Sequence, residues 1–486
     1  MEGQGTLRNK TVNGVLWSFV ERFSVQGVVF LCNIVIARII GPGNFGLIAM
    51  LAIFMTVSQV FIDGGFSSAL IQRKDRSEAD FSTVFYINIA ISIIVYALLF
   101  LAAPTIAFYF EEPILEPITR VYSLNLILNS MVAVNRTKLT IDVDFKTQSK
   151  ISLISAVIAG AAGIGLALMG YGVWSLVYQA LILALLNVLL SFYYVRWWPS
   201  KNFSSESFHR LFAFGSKLLV ANIISAAYTK VYNLVIGKRF SKEDLGLFEN
   251  ADKFNQFASS NLGSILQRVS FPVLSTIQDD DDRLRSAYKR FMQVSALIAF
   301  PLILGLCGIA RPMIYTLLGE EWMGCVPILQ ILSLAYLWDC VIATNLNLIY
   351  VKGHSDYVLR LEMVKKSIAV AILLVSMFFG IIAICWGRVL YSIIALYLNT
   401  YYTKKLLNYG FLCQIKEWLH VLAVSGVIAG MGIAMGEFIP NLYIAFVATL
   451  VACPVVYVLL CKAFRLSAYG ELMTIIKEKL HELKKH

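Results

Sequence analysis

Runs of about twenty apolar residues recur along the whole chain, and each is long enough to cross the hydrocarbon core of a bilayer as a helix. Fourteen windows can be read, near 14–37, 45–69, 82–108, 115–135, 149–169, 173–195, 211–236, 247–270, 287–309, 324–350, 361–382, 386–402, 418–437 and 441–462. Inside lipid each backbone group needs a partner from the protein, which a helix supplies within itself. Composition agrees. Of 486 residues 58% are hydrophobic and only 15% charged, more apolar surface than one soluble core can hide and too little charge for a disordered chain. The expected fold class is all-α: a polytopic membrane protein of about fourteen transmembrane helices. The first window carries Glu21 and Arg22 mid-span and lacks a small-residue cleavage site, so it reads as a span and not as a signal peptide.

The net charge of +11 has an explanation that needs no nucleic acid. With the N-terminus in the cytoplasm, 31 of the 41 Lys and Arg fall on the cytoplasmic side of the spans, 7 on the other side, and Arg22, Lys230 and Lys253 within spans. That bias predicts a multi-pass protein with both termini cytoplasmic. The loops are short and leave no room for a soluble catalytic domain, so no enzyme is expected. The 8 Cys form no CxxC and the 5 His no HExxH, and no phosphate-binding Gly-rich loop occurs. Asp279 to Asp282 lack the Gly and distal Glu of a calcium loop and read as a solvated helix N-terminus. No metal and no cofactor are expected.

An internal repeat organises the chain. Arg38, the turn 41–44, Phe45, Gly46 and Leu47 match Lys238 or Arg239, the turn 241–244, Leu245, Gly246 and Leu247 without a gap. Pro104 then matches Pro312, Pro117-Ile118 match Pro327-Ile328, and Ser123-Leu124 match Ser333-Leu334. Six spans separate the copies, an even number, so the halves share one orientation. The expected organisation is an N-terminal lobe over 1–195, a cytoplasmic linker over 196–210, a C-terminal lobe over 211–405, two further spans over 406–465, and an amphipathic tail over 466–486 lying on the membrane surface.

Ionisable residues inside spans are costly and normally face a cavity or one another. The candidates for a substrate cavity are Glu21, Arg22 and Gln26 in the first span, Asp63 ending the second, Asn222, Lys230 and Asn233 in the seventh, and Asp252, Lys253 and Gln256 in the eighth. Asp339 lies in the tenth span. Basic groups in such a cavity suit a phosphate or diphosphate through charge-assisted hydrogen bonds. The alternative is internal pairing, in which Glu21 or Asp252 neutralises a neighbouring base.

Two stretches carry a resemblance. Gly46-Leu47, Asp63-Gly64-Gly65 and Ala69-Leu70-Ile71-Gln72-Arg73-Lys74, with Phe271-Pro272-Val273-Leu274-Ser275-Thr276-Ile277-Gln278 followed by Leu284 and Tyr288, resemble the polysaccharide exporters of the multidrug/oligosaccharidyl-lipid/polysaccharide superfamily. The Wzx-like branch, typified by the colanic acid exporter, is the nearest in pattern. The resemblance runs from about residue 6 to beyond 400 and implies a flippase in a bacterial inner membrane. Its substrate would be an undecaprenyl-diphosphate-linked oligosaccharide, an O-antigen, capsule or exopolysaccharide repeat unit, moved by alternating access of the lobes. It also implies coupling to H+ or Na+, for which Glu21, Asp63 or Asp252 would serve. The partners it implies are the lipid-linked substrate, membrane lipids and other polysaccharide-assembly proteins. The competing readings are a drug or cation antiporter of the same superfamily and a peptidoglycan lipid-precursor flippase.

Overall fold

The computed structural model describes the backbone of residues 2–466, 469–470 and 473; side chains are described from residue 24 onward, save 214, 217, 261–262, 264–269 and the undescribed tail positions. The amphipathic tail expected over 466–486 lies almost entirely outside the described residues. In chain order the helices are α1 (Glu2–Asp63), α2 (Phe66–Gln72), α3 (Glu78–Phe110), α4 (Leu115–Tyr122), α5 (Leu124–Ile141), α6 (Phe145–Leu168), α7 (Val173–Val195) and α8 (Ser205–Arg239). They continue as α9 (Lys242–Ser275), α10 (Asp281–Leu317), α11 (Cys325–Tyr336), α12 (Asp339–Val351), α13 (Ser355–Ser376), α14 (Ile381–Leu407), α15 (Phe411–Phe438) and α16 (Leu442–Ala463). No strand occurs among the described residues.

Each apolar window of the sequence is a helix or a pair of half-helices. α1 holds the first window and most of the second, which ends in α2; it is bent at Gly41, whose φ of 73° suits glycine, with Pro42 following. α4 with α5, and α11 with α12, are windows interrupted mid-way at Ser123 and at Leu337-Trp338. Large apolar side chains such as Leu101, Phe108, Phe379 and Leu459 stand exposed, more apolar surface than a soluble protein presents and the surface that a bilayer covers.

The chain forms two compact units, residues 1–246 and 247–486. In the first, α1 packs on α6 and α8, α6 on α7, and α3 on α5. With no hydrophobic drive between helices in lipid, close approach depends on small residues. A Cβ on Gly160 would fall 2.3 Å from the Cys32 sulfur, and one on Gly65 would fall 2.7 Å from the Gly215 carbonyl oxygen. In the second unit α10 packs on α15, where Gly308 and Gly432 bring the two backbones together, and α16 lies against both.

Positions matched in the sequence repeat have similar local surroundings. Pro104 and Pro312 each sit inside a helix near its C-terminal end, in α3 and α10. A Cβ on Gly46 would lie 1.8 Å from the Lys242 carbonyl oxygen, and one on Gly246 would lie 2.0 Å from that of Pro42. The two contacts exchange under a shift of 200 residues, the offset of the sequence match. Nearby, Lys238 Nζ donates to Glu111 Oε1 at 2.8 Å and Lys242 Nζ to Glu112 Oε2 at 3.2 Å. The ammonium of Lys238 holds the Glu111 carboxyl below the usual carboxylate range.

At the opposite ends of these helices the segment 196–204 is fastened to the first turns of α3. Trp197 Nε1 donates to Glu78 Oε2 at 2.6 Å, the Ser200 amide to Ser82 Oγ at 2.9 Å, and the Ser204 amide to Thr83 Oγ1 at 3.0 Å. Arg210 Nη2 reaches the buried Asp80 at 3.0 Å.

Candidate functional site

A cavity of about 600 Å³ with a mixed polar and apolar wall opens in the first unit, at the helix ends that carry loop 73–77 and the 196–204 segment. Its wall is built from polar residues at the end of α1 (Gln59, Asp63), on α2 (Ser67), on α5 (Asn129, Arg136, Thr137, Thr140) and on α8 (Asn222), interleaved with Val60, Ile71, Val132 and Ala133. The positions follow helical periodicity. Asn129, Arg136 and Thr140 recur at sevens and fours along one face of α5, as do Gln59 and Asp63 at a spacing of four on α1, while Ser67 follows the turn at Gly64-Gly65. Asp63 accepts the Ser67 hydroxyl at 2.6 Å. Asn129 Nδ2 donates to Asn125 Oδ1 at 3.2 Å. The lining therefore offers amides, hydroxyls, one carboxylate and one guanidinium, the groups that replace the hydration of a sugar-phosphate headgroup.

A second polar centre lies in the other unit, at the break between α11 and α12. Arg388 of α14 is ion-paired with Asp252 of α9. Tyr336, the last residue of α11, donates its hydroxyl to Asp252 at 2.8 Å and accepts from Arg388 Nη2 at 2.7 Å. Asp339, opening α12, accepts the Ser259 hydroxyl at 2.8 Å. Interrupted helices carrying ionisable groups mark binding sites in transporters.

Of the ten residues singled out from the sequence, Asp63 and Asn222 meet in the cavity. Asn233 is buried in helix packing, its amide donating to the Ala49 carbonyl at 3.4 Å. Asp252 belongs to the second centre, Lys253 pairs with Glu249 one turn earlier at 3.7 Å, Gln26 and Gln256 are exposed, and Lys230 is half-buried. The side chains of Glu21 and Arg22 lie outside the described residues. Sequence reading missed Gln59, Asn129, Arg136 and Thr137 of the cavity, and Tyr336 and Arg388 of the second centre. Arg388 reads as a loop residue, whereas it lies in the third turn of α14. The signal for it was present: a lone arginine between uncharged runs, 367–387 before it and 389–403 after it, with an acid in another span to neutralise.

Two helical units with apolar exteriors, each with polar groups gathered inside, have the architecture of a membrane transporter. Residues 35–327 match the family described as polysaccharide biosynthesis protein. The chain belongs to that family. It is 27% identical over 398 residues, 80% of each chain, to the lipopolysaccharide biosynthesis protein WzxC of Escherichia coli strain K12. It is 26% identical to the succinoglycan biosynthesis transport protein ExoT of Rhizobium meliloti strain 1021, over 68% of this chain and 67% of that one. In fold it is similar to the lipid II flippase MurJ in an inward closed conformation, with TM-score 0.75 and 16% identity over 94% of this chain and all of that one. It is also similar to an inward-facing multidrug resistance transporter of the MATE family, with TM-score 0.60 and 13% identity over 81% and 99%.

Proposed function

We propose that this protein is a flippase of a bacterial inner membrane, moving an undecaprenyl-diphosphate-linked oligosaccharide from the cytoplasmic to the outer leaflet. The observation that carries the reading is the cavity of about 600 Å³, with amides, hydroxyls, one carboxylate and one guanidinium in its wall, in a chain of the polysaccharide biosynthesis family. A sugar-diphosphate headgroup cannot enter hydrocarbon without replacing its hydration. Asp63, Asn129, Asn222 and the hydroxyls of Thr137 and Thr140 supply that replacement, and Arg136 meets the diphosphate. The polyprenyl chain stays in lipid throughout.

The excess of Lys and Arg on one side of the spans supports a cytoplasmic position for both termini and for the mouth of the cavity, the side on which such precursors are assembled. Transport then needs the cavity to open to the other side, through rocking of an N-terminal lobe against a C-terminal lobe. The chemistry breaks no bond and calls for no cofactor. Coupling to H+ or Na+ falls to the intramembrane carboxylates Asp63 and Asp252, with Glu21 and the hydroxyl-bound Asp339 as further acids. A guanidinium in the cavity favours an anionic headgroup over the cationic cargo of a drug antiporter.

The test is removal of the gene followed by analysis of the membrane. A lipid-linked glycan trapped in the cytoplasmic leaflet, relieved by restoring the gene, is the expected result. Unchanged glycan distribution with altered dye efflux would move the assignment to an antiporter, and arrested cell-wall synthesis would move it to the peptidoglycan precursor.

A further inference from the structure

On the far side of α5 from the substrate cavity lies a smaller pocket of about 270 Å³, lined by Lys74, Arg76, Phe81, Lys138, Ile141 and Asp142. Its walls are fixed. The loop that carries Lys74 and Arg76 ends in a capping box, in which Ser77 and Asp80 exchange hydrogen bonds at the start of α3. Arg76 Nε donates to the Arg73 carbonyl at 2.5 Å, which orients the guanidinium and leaves its outer fork to face an anion. Lys138 is held between Phe81 and Trp197, 4.6 and 5.0 Å from the ring centres, and donates to Glu78 at 2.9 Å. Lys74 is exposed and makes no ion pair among the described residues.

Deeper along the same helices is an apolar crevice of about 500 Å³, lined by Phe85, Met131, Leu189, Phe192, Tyr193 and Trp198 among others. Phe85 lies one turn below Phe81 on α3, a drop of ~6 Å, and Met131 lies two turns below Lys138 on α5, a drop of ~10 Å. Trp197 packs on both Phe81, which lines the cationic pocket, and Phe85, which lines the crevice. Leu189, Tyr193 and Trp198 are more than half exposed. Exposed Tyr and Trp at a helix end mark headgroup depth in a bilayer, so the crevice opens to lipid and the cationic pocket lies level with phosphates.

We propose that this pair of pockets is a binding site for one anionic phospholipid of the surrounding leaflet, its phosphate between Lys74, Arg76 and Lys138 and an acyl chain in the crevice. Charge selects the occupant. Three cations line or border the pocket, Asp142 shares it, and Glu78 holds Lys138; Asp75 is not among the lining residues. The balance is one positive charge, which matches a single phosphodiester. A glycosylated diphosphate brings more negative charge and a headgroup too bulky for this volume. The bound lipid would brace α3, α5, α7 and the 196–204 segment, and it does not depend on which cargo the protein carries.

The full-length protein in detergent is titrated with phosphatidylglycerol or with phosphatidylcholine of the same acyl chains, and bound lipid is counted by native mass spectrometry. The wild type retains phosphatidylglycerol at concentrations at which phosphatidylcholine is lost. The double variant K74Q/R76Q weakens that retention roughly twentyfold, while L189N weakens retention of both lipids. The 74 and 76 side chains contact no other helix through a described hydrogen bond, so unfolding of K74Q/R76Q in detergent alone should follow the wild type, with K74Q as the milder check. Equal retention of both lipids by the wild type, or an undiminished preference in K74Q and K74Q/R76Q, overturns the proposal. One-for-one displacement of phosphatidylglycerol by a polyprenyl diphosphate also overturns it, because the site would then belong to the cargo.

Discussion

Asp63 and Arg136 bring opposite charges to one cavity from helices that are distant in sequence, and they have different parts to play. Arg136 is the group in that lining suited to a diphosphate, so R136Q should lower transport about tenfold or more, the loss of a charged hydrogen bond. R136K should recover only part, because an ammonium lacks the planar fork. Glycan export in cells, normalised to protein in the membrane, reads both. Lys253 pairs with Glu249 at 3.7 Å and does not line the cavity; K253E would set two carboxylates one turn apart and should lower the unfolding temperature in detergent. The sequence made Asp63 and Asn222 visible, because polarity inside an apolar window stands out. Arg136, Thr137 and Thr140 were invisible for the opposite reason: polar residues at the end of a window look like the loop that follows. Tyr288 shows a further limit. It belongs to the stretch that resembles the exporters, yet it is fully buried and bonded to Asn345 beside Gln414, where it ties α10, α12 and α15 together.

Helix breaks and crossings decide where these residues stand. The interruptions at Ser123 and Leu337-Trp338 carry no Pro or Gly that would announce them, and continuous apolar windows concealed them. The fastening of 196–204 to α3 was equally illegible, because it depends on hydrogen bonds between residues more than a hundred positions apart. The crossing at Gly46 and Gly246 was legible as a repeat, though its closeness was not. G46V and G246V should each destabilise the protein by about 3 kcal/mol or more, since the opposing atoms are backbone and cannot rotate away; thermal unfolding in detergent measures this. Around the second break, R388M leaves Asp252 without its cation and should lower the unfolding temperature. The pair D252N/R388M should recover most of the loss, and an additive double variant would mean that the two charges are not coupled.

At the scale of the molecule, fourteen windows read from hydropathy all became helices, because the requirement to bury backbone polarity in lipid is strong enough to be read one segment at a time. Sidedness is the remaining whole-molecule expectation. A cysteine placed at Asn129, with Cys32 and Cys413 replaced to remove the accessible native thiols, should react with a membrane-impermeant thiol reagent applied from the cytoplasm, and substrate should protect it. Labelling from the outer side alone would reverse the orientation. The central claim is that the cavity carries a lipid-linked glycan headgroup across the bilayer. Its most direct test uses vesicles containing the purified protein and a polyprenyl-diphosphate oligosaccharide, with a lectin or glycosidase outside to report each headgroup that arrives. Wild-type vesicles should expose the glycan and R136Q vesicles should not; vesicles of folded wild-type protein that expose none under any imposed ion gradient, or R136Q vesicles that match the wild type, would contradict the account.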